Sequence, residues 1–168
     1  MGLMDILEQY AGQAMASEGD PHADFSKVAE QAPPGTLGAG ITEALRNGAG
    51  GSFAESIEKL FANSNPDQRA GLLTRLVEAA GPVVLSSVAG GALAHLGGGA
   101  TTGAAPISPT DAGRVTPGQA GELATAAQAE DPGIIERVGS FYSAHPMVVK
   151  ALGAAALAVA MSHMARRT

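Results

Sequence analysis

The chain of 168 residues lacks cysteine and tryptophan entirely, and it contains only two tyrosines and four phenylalanines. Without cysteine it can form no disulfide, thiol nucleophile or cysteine-ligated metal site. This composition fits a reducing compartment, so we expect a cytoplasmic protein. A core with so few aromatic rings must be built from aliphatic side chains and alanine, which favours closely packed helices.

Positive charge is also scarce. Ten Lys and Arg residues face sixteen Asp and Glu, for a net charge of −6. A phosphate-binding surface needs clustered basic residues, and the only adjacent basic pair is Arg166-Arg167. We therefore expect no nucleic-acid partner.

No motif points to catalysis. The chain has four histidines, at His22, His95, His145 and His163. None of them stands at metal-ligand spacing from another histidine or a carboxylate. The glycine runs at residues 90–91 and 97–99 are not followed by the Lys-Ser/Thr of a phosphate loop. We therefore expect that the protein is not an enzyme and that it has no catalytic residues, no bound metal and no cofactor. A site assembled from distant residues is the minor alternative.

Apolar residues recur at helical spacing along most of the chain. Phe53, Ile57, Leu60 and Phe61, for example, follow the i, i+4, i+7, i+8 pattern of an amphipathic helix. Helix-start signals such as Asn65-Pro66 and Thr116-Pro117 precede several of these segments. Strand-type alternation is absent from the sequence. The pattern predicts an all-α, multi-helix bundle of short helices with a Gly/Ala-rich central linker and an apolar C-terminal helix.

An uncharged run from Ala79 to Thr110 divides the sequence. Its first part, Val83–Leu96, is apolar nearly all round and is predicted to be one buried helix. Glycine and alanine dominate the part that follows, which is typical of a flexible linker. We expect an N-terminal helical domain over 1–96, a linker over 97–107 and a C-terminal helical segment over 108–168.

Two apolar segments are the predicted contact surfaces: the helix Val83–Leu96, and Leu152–Met164 within a last helix that is expected over Met147–Arg166. In the first, small residues recur every four positions up to Gly98, which would let another backbone approach closely. Leucines and a methionine supply apolar area. The candidate self-association residues are Ser86, Gly90, Leu93, Ala94, Leu152, Leu157 and Met161. Substitution of Gly90 by leucine is expected to disrupt the contact.

These features predict a non-enzymatic structural or interaction protein whose partner is itself. The homo-oligomer could be closed or open, because nothing in the sequence chooses between a ring and a filament. The alternative is a membrane-active peripheral or pore-type protein that inserts residues 79–99, 147–165 or both. The first segment is just long enough to span a bilayer, whereas the uncharged stretch Ala151–Ala165 is too short.

Several sequence blocks together resemble the YidB-like family of uncharacterised bacterial proteins. The blocks are the opening MGLMDIL, the glycine-rich centre, Ile107-Ser108-Pro109, Thr116-Pro117 and the closing PGIIERVGSFYSAHPMVVKALG. The resemblance implies a cytoplasmic, all-helical bacterial protein with no assigned activity. It brings no catalytic residues to this chain.

Overall fold

The computed structural model of the chain describes residues 2–11, 20–97 and 106–167, without the side chains of residues 89, 95 and 97. Within these ranges the chain is all-α, as the apolar spacing predicts. The α-helices are α1 (Leu3–Ala11), α2 (Pro21–Gln31), α3 (Pro34–Arg46), α4 (Phe53–Asn63), α5 (Pro66–Leu85), α6 (Pro109–Ala112), α7 (Pro117–Glu130), α8 (Ile134–Ser143), α9 (Pro146–Val149) and α10 (Ala154–Ala165). Short 3-10 helices cover Val88–Gly91, Ala94–Gly97 and Lys150–Leu152.

Capping residues fix where several helices begin. The Asn65 side chain accepts a hydrogen bond from the Gln68 backbone N–H at 2.8 Å, and the Gln68 side chain accepts one from the Asn65 N–H at 2.9 Å. Thr116 and Gln119 form the same reciprocal arrangement at the start of α7. Each pair satisfies two backbone donors that a helix start leaves free. These helix starts are therefore confirmed.

The single helix predicted over Val83–Leu96 is wrong. Helix α5 kinks at Gly81, where φ is 77°, and ends at Leu85. Gly90 and Gly91 have φ values of 64° and 83°, in the left-handed region that ends a right-handed helix. The chain instead forms two 3-10 helices, so the small residues at spacing four do not line one helix face. The last of them, Gly98, lies outside the described residues.

The predicted C-terminal helix, Met147–Arg166, is also interrupted. Helix α9 gives way to a 3-10 turn, and Gly153 with φ 94° and ψ 165° separates that turn from α10. Its positive φ is readily available only to glycine. The apolar C-terminal helix is therefore real, but it begins at Ala154 and is 12 residues long.

The chain packs as two compact units. The first comprises residues 1–52 and 138–168, and the second comprises 53–137. The first unit combines residues from both sides of the predicted 97–107 linker, because α10 packs against α1, α2 and α3. Residues 98–105 of that linker lie outside the described ranges, so its flexibility stays a prediction.

Helix α10 occupies the centre of the first unit. Its buried side chains include Leu157, Met161 and Met164, which pack among α1, α2 and α3. Tyr10 is fully buried, and its hydroxyl donates a hydrogen bond to the Asp24 carboxylate at 3.0 Å. This bond joins α1 to α2 and satisfies a polar group that burial would otherwise leave unpaired.

In the second unit α7 plays the central part, packing against α4 and α5. It buries small side chains and one leucine: Ala120, Gly121, Leu123, Ala124 and Ala127. The facing helix α5 supplies larger aliphatic residues, with Leu72, Leu73 and Leu76 fully buried. Small side chains opposite large ones let the helices interdigitate closely. The core is thus aliphatic and alanine-rich, as the shortage of aromatic residues predicts.

Candidate interaction surface

An open apolar cleft of about 260 Å³ lies on the surface of the first unit, between α2 and the segment that runs from α9 into the following 3-10 turn. Phe25, Ala29 and Pro146 contribute apolar walls, and Met147 stands beside them. The lining also includes two oppositely charged residues, Glu30 and Lys150. A concave apolar surface with a few polar groups is the usual form of a binding site.

The α2 side of the cleft follows from its sequence pattern. Asp20 caps the helix by accepting a hydrogen bond from the His22 backbone N–H at 3.0 Å, and Pro21 occupies the first turn. The core-facing residues Phe25 and Val28 are fully buried. Ala29 follows directly, and its side chain ends at a single methyl group. It lines the cleft and fills little of it.

The opposite side is built by a short, interrupted helical segment. Pro146 starts α9, and the segment ends at Gly153. Within it, Val148 and Val149 turn into the core, whereas Met147 remains 71% exposed. A helix of only one turn cannot bury three consecutive apolar side chains on one face. One of them is therefore left facing the cleft.

Met147 is one of three large apolar side chains that are strongly exposed in the described part of the chain, together with Met4 at 54% and Val83 at 82%. A single exposed apolar residue is ordinary. Among these three, only Met147 lines the described cleft. That combination makes this surface a candidate for contact with another molecule.

The two charged residues of the cleft have no partner among the residues that the structure describes. Neither the Glu30 carboxylate nor the Lys150 ammonium group makes an ion pair or side-chain hydrogen bond with any described residue. Elsewhere on α2, by contrast, Lys27 lies 3.8 Å from Asp24. Both cleft charges are therefore available to a partner.

The candidate self-association residues from the sequence lie elsewhere. Leu152, Leu157 and Met161 are buried in the first unit, and Leu93 is buried in the second. In this fold they serve as core residues. The remaining candidates are exposed in the second unit: Ser86, Gly90 and Ala94. The prediction that they contact another copy stays a prediction.

Sequence reasoning missed the cleft, although one signal was present. Residues 147–149 and 151–152 form a nearly continuous apolar run directly after Pro146. Such a run exceeds what one side of a short helix can bury. The position of Phe25 and Ala29 opposite this run depends on tertiary packing, which no local pattern encodes.

The histidines do not form a common site within the described side chains. The His163 Nδ1 atom lies 3.9 Å from the Glu43 Oε2 atom, while His145 packs edge-on against the Phe141 ring at 5.0 Å. Across the described residues, no three His, Asp or Glu side chains form a group that could hold a metal ion. The His95 side chain is outside that description.

The two segments considered for membrane insertion are both interrupted, at Gly81 and after Leu85 in the first and at Gly153 in the second. Among the helices that are described, none combines the length and the apolar character needed to cross a bilayer.

Comparisons with protein-family models, with curated proteins and with solved structures gave no match for this chain. The resemblance to the YidB-like family therefore stays a prediction. Function has to be argued from the surface geometry alone.

Proposed function

We propose that this chain is a non-enzymatic interaction protein that self-associates, and that the apolar cleft of its first unit is the contact surface. The observation that carries the proposal is the exposed Met147 side chain beside a cleft walled by Phe25, Ala29 and Pro146. Covering apolar surface is favourable, and full burial of a methionine side chain contributes about 1.5–3 kcal/mol.

The surface in this proposal differs from the small-residue helices that the sequence favoured. In the first unit small residues serve internal contacts, since Gly40 on α3 meets the backbone of α10. The candidate residues Leu152, Leu157 and Met161 are likewise buried inside the first unit. Association of folded chains must then use residues that remain exposed.

The proposal places the protein in the cytoplasm, in keeping with a chain that contains no cysteine. Its net charge of −6 disfavours indiscriminate association through charge alone. Specific association through a defined apolar surface is compatible with this net negative charge.

Sedimentation velocity over a wide range of protein concentrations tests the proposal. We expect a species heavier than the 16.7 kDa chain, whose fraction rises with concentration. A single species of monomer mass at every concentration would refute self-association.

Flotation of the same preparation with anionic phospholipid vesicles addresses the membrane-active alternative. We expect the protein to stay in the dense fraction, away from the vesicles. Quantitative recovery of the protein with floated vesicles would favour the alternative instead.

A further inference from the structure

We propose that the cleft binds the identical cleft of a second copy in a two-fold symmetric dimer. Met147 of each copy then fills the other's cleft, and Glu30 of each copy pairs with Lys150 of the other. This inference rests on the proposed self-association and specifies its geometry.

A two-fold interface must be complementary to itself, because the same patch meets its own copy. Such a patch needs a protrusion next to a recess, and positive charge next to negative charge. The cleft surface has both: Met147 is 71% exposed beside a recess of about 260 Å³, and Glu30 and Lys150 line the same recess.

The charges favour a second copy over an unrelated partner. In a two-fold arrangement Glu30 of each copy pairs with Lys150 of the other. The same ion pair therefore forms twice, and both charges on both copies have a partner. Neither residue has an ion-pair partner in the described part of its own chain. A different protein would have to supply its own pair of charges at the same spacing.

The apolar part of the surface also suits a copy of itself. Methionine is unbranched and flexible, so its side chain adapts to an irregular recess. Phe25 itself is fully buried beneath the cleft, so the partly exposed Ala29 and Pro146 present the apolar lining that the methionine covers. Apolar contact then supplies the affinity, while the exposed charge pairs set the orientation of the two copies.

The first arm of the test compares Met147→Glu with Met4→Glu in the full-length chain. Both methionines are exposed in the first unit, at 71% and 54%, but only Met147 lines the cleft. We expect Met147→Glu to weaken the association constant on the order of a hundredfold, because the symmetric contact would bury two unpaired carboxylates. Met4→Glu should associate like the parent chain.

The second arm uses charge reversal at Glu30 and Lys150. Glu30→Lys alone places two lysines opposite each other, and Lys150→Glu alone places two glutamates together. Each variant alone should therefore associate on the order of tenfold more weakly than the parent. An equimolar mixture of the two variants restores opposite charges at both contacts, so we expect association in the mixture to recover.

Sedimentation velocity reads out both arms, and circular dichroism checks that each variant keeps its helical content. Parental association by Met147→Glu and by both charge variants would overturn the cleft dimer while leaving self-association intact. Failure of the mixture to recover would overturn the reciprocal pairing and with it the two-fold arrangement. A parent chain that stays a monomer would overturn this inference and the proposed function together. A different polypeptide would then be the candidate partner of the cleft.

Discussion

Gly40 of α3 lies directly against the backbone of α10 at Ala160. A Cβ atom at position 40 would come within 2.8 Å of the Ala160 carbonyl oxygen and within 2.9 Å of the Met164 Cγ atom. The carbonyl belongs to a helix backbone and cannot move aside alone. Glycine at position 40 is therefore what lets α3 and α10 approach each other so closely.

Gly40→Ala should destabilise the chain for this reason. The added methyl group forces the two helices apart, and overpacking of this kind costs about 1–3 kcal/mol. Urea denaturation followed by circular dichroism measures the free energy of unfolding. Gly35→Ala is the matched control on the same helix, because a Cβ there meets no atom within 4 Å among the residues with a described position. The control should gain about 0.5–1 kcal/mol from the better helix propensity of alanine. Equal effects at the two positions would contradict the close approach.

Ser56 offers a contrasting prediction in the second unit. Its side chain is buried in α4, and its Oγ atom has no hydrogen-bond partner in the described part of the chain. A buried hydroxyl without a partner carries a desolvation cost of about 1–3 kcal/mol. Ser56→Ala removes that group without leaving a large cavity. We expect the free energy of unfolding to rise by about 1 kcal/mol.

Ser64 provides the control for Ser56. It is also buried, but its hydroxyl donates a hydrogen bond to the Leu60 carbonyl oxygen at 2.7 Å. Ser64→Ala should therefore lower the free energy of unfolding by about 0.5–1.5 kcal/mol. Stability losses of the same size at both serines would show that Ser56 has a partner in solution.

Local patterns predicted those parts of the fold that local physics determines. The amphipathic spacing of Phe53, Ile57, Leu60 and Phe61 identified α4, since all four side chains are buried. Proline and capping residues fixed several helix starts. Such signals act within one turn of chain, so the sequence displays them directly.

The two helices that were predicted too long both contain glycine in the left-handed region. Apolar residues predicted continuous helices through Gly90 and Gly153, yet both have positive φ. Hydrophobic spacing carries no information about a glycine's dihedral angles, since glycine adopts either sign readily. The cleft was missed for another reason: α2 and α9 are far apart in sequence, and only tertiary packing places them side by side.

The capping box at the start of α5 gives a third prediction. Asn65→Ala removes the side-chain acceptor for the Gln68 N–H, and loss of such a cap costs about 0.5–2 kcal/mol. Asn65→Asp keeps an oxygen at the same place and should retain most of the stability. Thermal and urea unfolding of the two variants separate loss of the cap from a general effect of substitution. Similar losses in both would mean that the capping hydrogen bond contributes little.

Two substitutions of Gly90 distinguish backbone strain from a packing contact with another copy. Its φ of 64° is unfavourable for any residue with a Cβ atom, whereas a Cβ there would meet no atom of the described residues within 4 Å. Gly90→Ala should therefore cost about 1 kcal/mol through the backbone alone. Gly90→Leu should cost about the same, because no described residue crowds the Cβ position. If Gly90 instead packs against another copy, as the spacing of small residues first indicated, leucine would be much worse than alanine. That variant would also lose association in sedimentation velocity. Comparison of the two substitutions thus decides whether the loop after α5 is a contact surface or a turn.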